Sequence, residues 1–115
     1  MPRKKSRFCR RFSQYLDDPR IGLFGALACG QRLEILRLLK DTEKCVSDIT
    51  PKLGIDISVV SRHLQVLKNA GLIKSRREGT NSYYSVTDKR IFSVLDEASS
   101  ILRDRARENM NRYKY

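Results

Sequence analysis

The sequence predicts a mainly α-helical domain with one two-stranded β-hairpin, in the order α-α-α-α-β-β-α. Apolar residues recur every three or four positions through most of the chain, which is the spacing of one face of a helix. Between residues 73 and 86 this period gives way to two strand-like segments around Gly79 and Asn81, which favour a turn. The length of 115 residues suits one domain, so residues 1–115 are predicted to fold as a single unit.

The balance of charge indicates a polyanionic partner. The chain contains 24 lysines and arginines against 13 aspartates and glutamates, a formal net charge of +11. On so small a domain this charge favours nucleic acid over an anionic membrane, because no apolar run approaches the roughly 20 residues of a membrane span. The basic N-terminus has no apolar stretch behind it, so no secretory signal is predicted and the protein is expected to be cytoplasmic, with no membrane partner.

The N-terminal half is predicted to supply a basic arm and much of the core. Residues 1–18 are expected to form this arm and an amphipathic helix, which Pro19 ends. Residues 21–40 are mostly apolar at helical spacing, and Gly30 marks a break between two helices. A short helix over residues 47–53 follows, with Ser47 or Asp48 near its N-cap and Pro51 deep inside it.

Residues 56–70 are predicted to form a helix with one apolar and one polar face. Val60, Leu64 and Leu67 lie on the apolar side. Asp56 is placed to accept from amides of the first turn, and Gly71 ends the helix. The opposite face has no acidic residue, which suits the DNA major groove, where hydroxyl, amide and guanidinium groups read base edges. The predicted DNA contacts of this helix are Ser58, Ser61, Arg62, His63 and Gln65, with His63 at the flank of the polar face.

The hairpin that follows is basic on its first arm. Lys74, Arg76 and Arg77 lie within residues 73–78, and residues 82–86 form the returning strand. Two helices joined by a short turn containing Gly54, then a basic hairpin or wing, resemble a winged helix-turn-helix. The three basic side chains are therefore predicted to contact DNA.

The final helix is predicted to bury its apolar face against a second copy of the chain. Asp88 is expected to cap this helix, which runs over residues 88–110. Nothing later in the sequence can cover its apolar stripe, so a homodimer is the economical way to bury it; packing on its own domain is the alternative. The stripe comprises Ile91, Val94, Leu95, Ala98, Ile101 and Leu102.

Several separate motifs, in this order, resemble the ArsR/SmtB-type repressors. They are LFGALA at residues 23–28, RLEIL at 32–36, VSRHL at 60–64, AGL at 70–72 and RREG at 76–79. The resemblance covers roughly residues 20–87, and the last helix fits the family's dimerisation helix. It implies a homodimeric repressor that binds a palindromic operator in double-stranded DNA and releases it when an inducer binds. The two recognition helices would lie about 34 Å apart, in successive major grooves.

The chain departs from the family pattern in three places. Residues 56–58 often read Ser-Gln-Pro in the family, and Ile57 cannot make the base-edge hydrogen bonds of a glutamine, so a different operator preference is expected. Residues 29–31, Cys-Gly-Gln, replace an Asp-Pro-type turn and put a thiol at that corner. The zinc site of the last helix is expected to be absent, because Arg90 occupies a histidine position and no histidine follows.

Thiols are the remaining candidates for an inducer site. Thiol-dependent members have Cys-Val-Cys-Asp where this chain has Cys45 followed by Ser47 in place of the second cysteine. Cys45, beside Lys44 at a helix start, and Cys9, among arginines, are expected to favour the thiolate, and Cys29 is a third candidate ligand. Two or three thiolates without imidazole suit As(III), Sb(III), Cd(II), Hg(II) or Pb(II). No obligatory cofactor is predicted.

The sequence leaves alternatives to metal sensing. The three cysteines are an odd number without a secretory signal, so a disulfide framework is not expected. Cys9 and Cys45 could instead form a reversible disulfide in a repressor that answers to oxidants or sulfur species, or the cysteines could simply pack in a regulator that senses no metal. An enzyme is not expected, because the chain has one histidine, no nucleophile–base pattern and no glycine-rich phosphate loop. The polar helix face and the wing disfavour an RNA-binding or anti-sigma-type module.

Overall fold

The structure, a computed structural model, describes residues 18–112. Apart from Asp18, the predicted arm and helix of residues 1–18 lie outside the described residues, and so does Cys9. The mainly α fold with a hairpin is confirmed. The helices and strands of the described part are α1 (Pro19–Leu27), α2 (Gly30–Leu38), β1 (Lys44–Cys45), α3 (Val46–Leu53), α4 (Ile57–Asn69), β2 (Ile73–Glu78), β3 (Asn81–Val86) and α5 (Arg90–Arg112).

The predicted hairpin of β2 and β3 ends in a two-residue turn. Glu78 pairs with Asn81, so the returning strand begins one residue earlier than predicted and the turn consists of Gly79 and Thr80. Gly79 has a φ of 62°, which glycine adopts without the steric cost that a Cβ would add. A glycine at the first of two turn positions is typical of hairpins whose turn follows the twist of the strands.

A short strand, β1, adds a third member to the sheet. It pairs with β3 in the antiparallel order β1-β3-β2, with Lys44 opposite Tyr84 and Cys45 opposite Tyr83. Two residues are too few to show the alternation by which a strand is recognised in a sequence. This strand joins the start of α3 directly to the wing.

Three of the helices begin beside an aspartate whose carboxylate accepts a hydrogen bond from a backbone amide. Asp18 and Asp88 lie at the starts of α1 and α5, each accepting from the backbone N–H two residues later at 2.9 Å. The capping contact predicted for Asp88 is therefore present, although α5 begins at Arg90 and not at residue 88. The N-cap of α3 is Cys45 instead of Ser47 or Asp48. Asp48, in the first turn, reaches back and accepts from the Cys45 N–H at 3.2 Å, as in a capping box.

The two ends of α4 lie where the sequence placed them, but its first residue is capped differently. Asp56 is the N-cap, yet its carboxylate accepts from Ser58 Oγ at 2.8 Å and makes no hydrogen bond to a first-turn amide. At the other end Gly71 has a φ of 78°, and Gly71 and Leu72 donate to the carbonyls of Lys68 and Leu67 at 3.0 Å. This pair of bonds is the usual way in which a glycine stops a helix.

The core lies against the apolar face of α4. Val60, Leu64 and Leu67 are fully buried, which confirms that face. Side chains from α1, α2, α3, β2, α5 and the turns that follow α2 and α4 complete the core: Ala26, Leu27, Ile35, Leu36, Leu39, Ile49, Leu72, Ile73 and Ile91. The polar face of α4 is thereby turned outward.

The apolar stripe of α5 is covered only at its beginning. Ile91 is buried and Leu95 is half-buried, whereas Ile101 and Leu102 are 59% and 70% exposed. On α1, Phe24 is 56% exposed. Among residues 18–112, no helix combines the length and apolar character that crossing a membrane would require.

Candidate nucleic-acid interface

The predicted contact residues of α4, His63 excepted, share its exposed face. Ser58, Ser61, Arg62 and Gln65 are all exposed. Ser58 is engaged by Asp56, and Gln65 Nε2 donates to Asn69 Oδ1 at 2.8 Å. None of the ion pairs found among the described residues involves Arg62. Its guanidinium is therefore the long donor on this face best able to make the bidentate contact by which arginine reads guanine.

His63 lies between α4 and α2 and does not share that face. Its Nδ1 is 3.3 Å from Arg32 Nη1 and its Nε2 is 2.7 Å from Gln31 Oε1. Because a guanidinium only donates, Nδ1 must accept and Nε2 must carry the proton, which makes the ring neutral. Partial burial, and then the positive charges of Arg32 and Arg62, lower the pKa of His63. Of the residues predicted on α4, it is the one whose hydrogen bonds reach another helix, α2.

Arg32 is a structural residue that sequence reasoning missed. Its Nε donates to the Ala26 carbonyl at 2.6 Å and its Nη2 donates to the Gly25 carbonyl at 3.2 Å. These carbonyls belong to the last turn of α1, where the amides four residues later no longer belong to that helix; the Gly25 carbonyl also accepts from the Ala28 N–H at 3.2 Å. The same guanidinium therefore closes the end of α1 and contacts His63 of α4.

Strand pairing separates the basic residues of the wing into two groups. Side chains alternate between the faces of a strand, so Ser75 and Arg77 lie on one face while Lys74 and Arg76 lie on the other. Lys68 of α4 donates to Ser75 Oγ at 2.9 Å, which shows that the first face is turned toward α4. Arg77 thus shares the side of α4, and it is exposed.

Arg76 is engaged in a cluster with two carboxylates and an aromatic ring. Its guanidinium forms ion pairs with Glu43 and Glu78 and lies 4.9 Å from the centroid of the Tyr83 ring. The hydrogen bond from Arg76 lowers the pKa of Glu43, and both carboxylates raise the pKa of Arg76. The sequence did not indicate Glu43, because it is 33 residues away from Arg76.

Cys45 lies where α3, the wing and the start of α4 meet. Its Sγ donates to Asp48 Oδ2 at 3.1 Å and is 2.9 Å from Ser47 Oγ. The thiolate at Cys45 was predicted from Lys44 and the helix start alone. The contact between the thiol and the Asp48 carboxylate was not predicted. A cleft of about 310 Å³ opens beside the thiol, lined by Cys45, Val46, Ser47, Ile57, Thr80, Asn81, Ser82 and Tyr84.

Cys29 is half-buried at the N-cap of α2. The Arg32 backbone amide lowers the pKa of the Cys29 thiol, against the opposing effect of partial burial. Within the described residues no three side chains of His, Cys, Asp or Glu come together as metal ligands would. Cys9 is outside those residues, so a site built from Cys9, Cys29 and Cys45 stays a prediction.

Comparison with known proteins agrees with this architecture. The family of bacterial regulatory proteins of the arsR type matches residues 29–75. The HTH-type transcriptional regulator Rv0324 of Mycobacterium tuberculosis is 41% identical over 73 residues, which are 61% of this chain and 32% of that protein. The arsenical resistance operon repressor of Bacillus subtilis is 35% identical over 98 residues, which are 84% of this chain and 86% of that repressor.

A solved structure shares the fold. It is the solution structure of the homodimeric winged helix-turn-helix DNA-binding domain of a possible ArsR-family transcriptional regulator from Mycobacterium bovis, with a TM-score of 0.68 and 33% identity, covering 87% of this chain and 91% of that chain. The chain spans less than a third of the length of Rv0324 but most of the Bacillus repressor. By these matches and its winged helix-turn-helix fold, the chain belongs to the ArsR family of bacterial regulatory proteins.

Proposed function

We propose that the protein is a homodimeric transcriptional repressor that binds a palindromic DNA operator and releases it when its thiols bind a thiophilic metal or metalloid ion. The observation that supports DNA binding most strongly is the exposed polar face of α4 beside a wing that presents Arg77 on the same side. The net charge of +11 agrees with it, because each phosphate that a basic side chain neutralises releases a counterion and adds affinity.

The exposed apolar surface of α5 supports the dimer. Ile101 and Leu102 protrude from α5 as Phe24 does from α1, and large apolar side chains that remain exposed in one chain commonly pack in an assembly. The related domain from Mycobacterium bovis is homodimeric. Two-fold symmetry would present two α4 helices to successive major grooves, which is the arrangement that reads a palindrome.

The position of Cys45 supports control by a thiol ligand. Cys45 caps α3, and α3 packs against α4. An ion that binds Cys45 together with a second thiol from Cys9 or Cys29 would replace the hydrogen bond to Asp48 and shift the start of α3. A tenfold loss of DNA affinity requires only about 1.4 kcal/mol of preference for the shifted state. The related Bacillus protein is named as an arsenical resistance repressor, which favours a metalloid inducer.

Two arginines should separate reading of the sequence from attraction to the backbone. Arg62→Ala is expected to reduce discrimination against altered operator bases, by about 1–3 kcal/mol at the position it reads. Arg77→Ala should weaken binding to all sequences about equally and reduce the salt slope by about one. Fluorescence anisotropy with the chain's own upstream DNA and with single-base variants, at several salt concentrations, measures both. An equal loss on every DNA sequence for Arg62→Ala would remove its base-reading role.

Ligand addition tests the sensing part. Arsenite, Cd(II) or Hg(II) is expected to release the wild-type protein from the operator. In Cys45→Ser the factor by which the ion lowers DNA affinity should be at least tenfold smaller, since about 1.4 kcal/mol of coupling corresponds to tenfold. Cys9→Ser and Cys29→Ser in turn identify the other ligands. Release by a mild oxidant but by none of the ions would favour the disulfide-forming repressor. If the triple Cys→Ser variant still responds to the ions, the thiols are not the site.

A further inference from the structure

Arg76 ends a row of side chains that crosses the whole sheet. Cys45 on β1 pairs with Tyr83 on β3, and Tyr83 pairs with Arg76 on β2. Paired residues of antiparallel strands project from the same face, so these three side chains lie side by side. Glu43 precedes β1 by one residue. The row therefore leads from the cap of α3 to the basic arm of the wing.

The Arg76 guanidinium spans this row and binds the carboxylate at its far end. Its Nε donates to Glu43 Oε2 at 2.8 Å, and its Nη2 donates to Glu43 Oε1, so both carboxylate oxygens are engaged. Its Nη1 donates to Glu78 Oε2 at 2.8 Å. With Tyr83 beneath it, the guanidinium has every nitrogen committed to a carboxylate and its plane close to an aromatic ring, an arrangement that suits arginine and not lysine.

We propose that Glu43 and Arg76 are positioning residues, and that the ion pair between them, called the clasp below, fixes the wing to the start of α3. Arg76 contributes to DNA binding through this clasp and not through a phosphate contact. Near its base the wing is held by buried Ile73, by the bond between Lys68 and Ser75 and by the pairing of β1 with β3. Farther out, the clasp joins it to the turn before β1. It thereby sets where Arg77 stands relative to α4. This inference rests on the proposed binding of DNA.

The clasp and a simple effect of charge predict opposite changes in DNA affinity when Glu43 is neutralised. If Glu43 merely neutralised a phosphate-binding arginine, removing its negative charge would strengthen DNA binding, because phosphate attraction grows with net positive charge. If Glu43 holds the wing in place, its removal weakens binding although the protein becomes more positive. The sign of the change therefore separates the two roles.

The test compares Glu43→Gln and Arg76→Lys with a matched control in the full chain. Both variants are expected to bind the upstream DNA about fivefold more weakly, within the range of a well-placed exposed pair, with an unchanged salt slope. Arg76→Lys keeps the charge and loses only the fork and the stacking. The control, Glu34→Gln, removes the same negative charge from the exposed pair with Arg37 on α2. Its affinity for DNA should equal or exceed that of the wild type. Thermal unfolding confirms that each variant is folded.

Two further measurements test the clasp independently of these single variants. The double variant Glu43→Arg with Arg76→Glu should bind DNA more tightly than Glu43→Arg alone or Arg76→Glu alone. In the absence of DNA, amide hydrogen exchange in β2 and β3 should be faster in Glu43→Gln and Arg76→Lys than in Glu34→Gln. Faster exchange supports the clasp even if the wild type binds no DNA, which would refute the proposed function alone. Tighter binding by Glu43→Gln, wild-type binding by Arg76→Lys, or unchanged hydrogen exchange would overturn the clasp.

Discussion

Replacing Leu64 by alanine is expected to lower the free energy of unfolding by about 2–5 kcal/mol. Leu64 is fully buried on the apolar face of α4, in the cluster to which α2, α3 and β2 also contribute. The substitution removes buried methyl and methylene groups and leaves a cavity that close-packed neighbours fill only in part. Urea denaturation followed by circular dichroism, at one protein concentration, measures the change.

The matched control for this prediction is Ile57→Ala on the same helix. Ile57 is 55% exposed at the first position of α4, so its truncation should change stability by less than about 1 kcal/mol. Equal losses for the two variants would contradict the assignment of Leu64 to the centre of the core. DNA binding by Leu64→Ala should fall in step with the folded fraction.

Leu102→Glu is expected to separate the proposed dimer and to weaken operator binding by about a hundredfold or more, because two α4 helices would then no longer bind as one linked unit. Leu102 is 70% exposed in the single chain, so a glutamate there costs little within the monomer. In a dimer interface the same carboxylate would be buried and unpaired, which is strongly unfavourable. Analytical ultracentrifugation measures the association, and anisotropy measures the binding.

Ser93→Glu is the control for the added charge. It adds the same carboxylate to α5 at an exposed position on the side of the helix away from the apolar stripe, as spacing of about 100° per residue requires. It should leave the dimer intact, with only the modest loss of affinity that one negative charge causes. A monomeric wild type, or a Leu102→Glu variant that remains dimeric, would refute the α5 interface.

The regular elements of the fold could be predicted because their signals are local. The spacing of Val60, Leu64 and Leu67 defines the buried side of α4 within three turns, and Gly71 and Gly79 mark two sharp changes of direction. β1 could not be predicted, because two residues have no measurable period. It exists through its pairing with β3, which depends on the position of the whole hairpin.

The candidate interface was predictable in its residue types and less so in their arrangement. The sequence placed Arg62 and Gln65 on one face, since helical geometry alone decides this. It grouped Arg76 with Arg77, although strand pairing puts them on opposite faces and a distant glutamate engages one of them. The contacts of His63 likewise depend on how α2 crosses α4, which no local pattern contains.

The double role of Arg32 also links the end of α1 to α4. One guanidinium holds two carbonyls at the end of α1 and one nitrogen of His63 on α4. A displacement of the last turn of α1 must therefore carry α4 with it or break these contacts. Since α1 bears the exposed Phe24, a partner that covered this side chain and moved α1 would act on α4 through Arg32 and not through a cysteine. By thermodynamic reciprocity, occupancy of α4 by a ligand would then alter affinity at the α1 surface by the same factor.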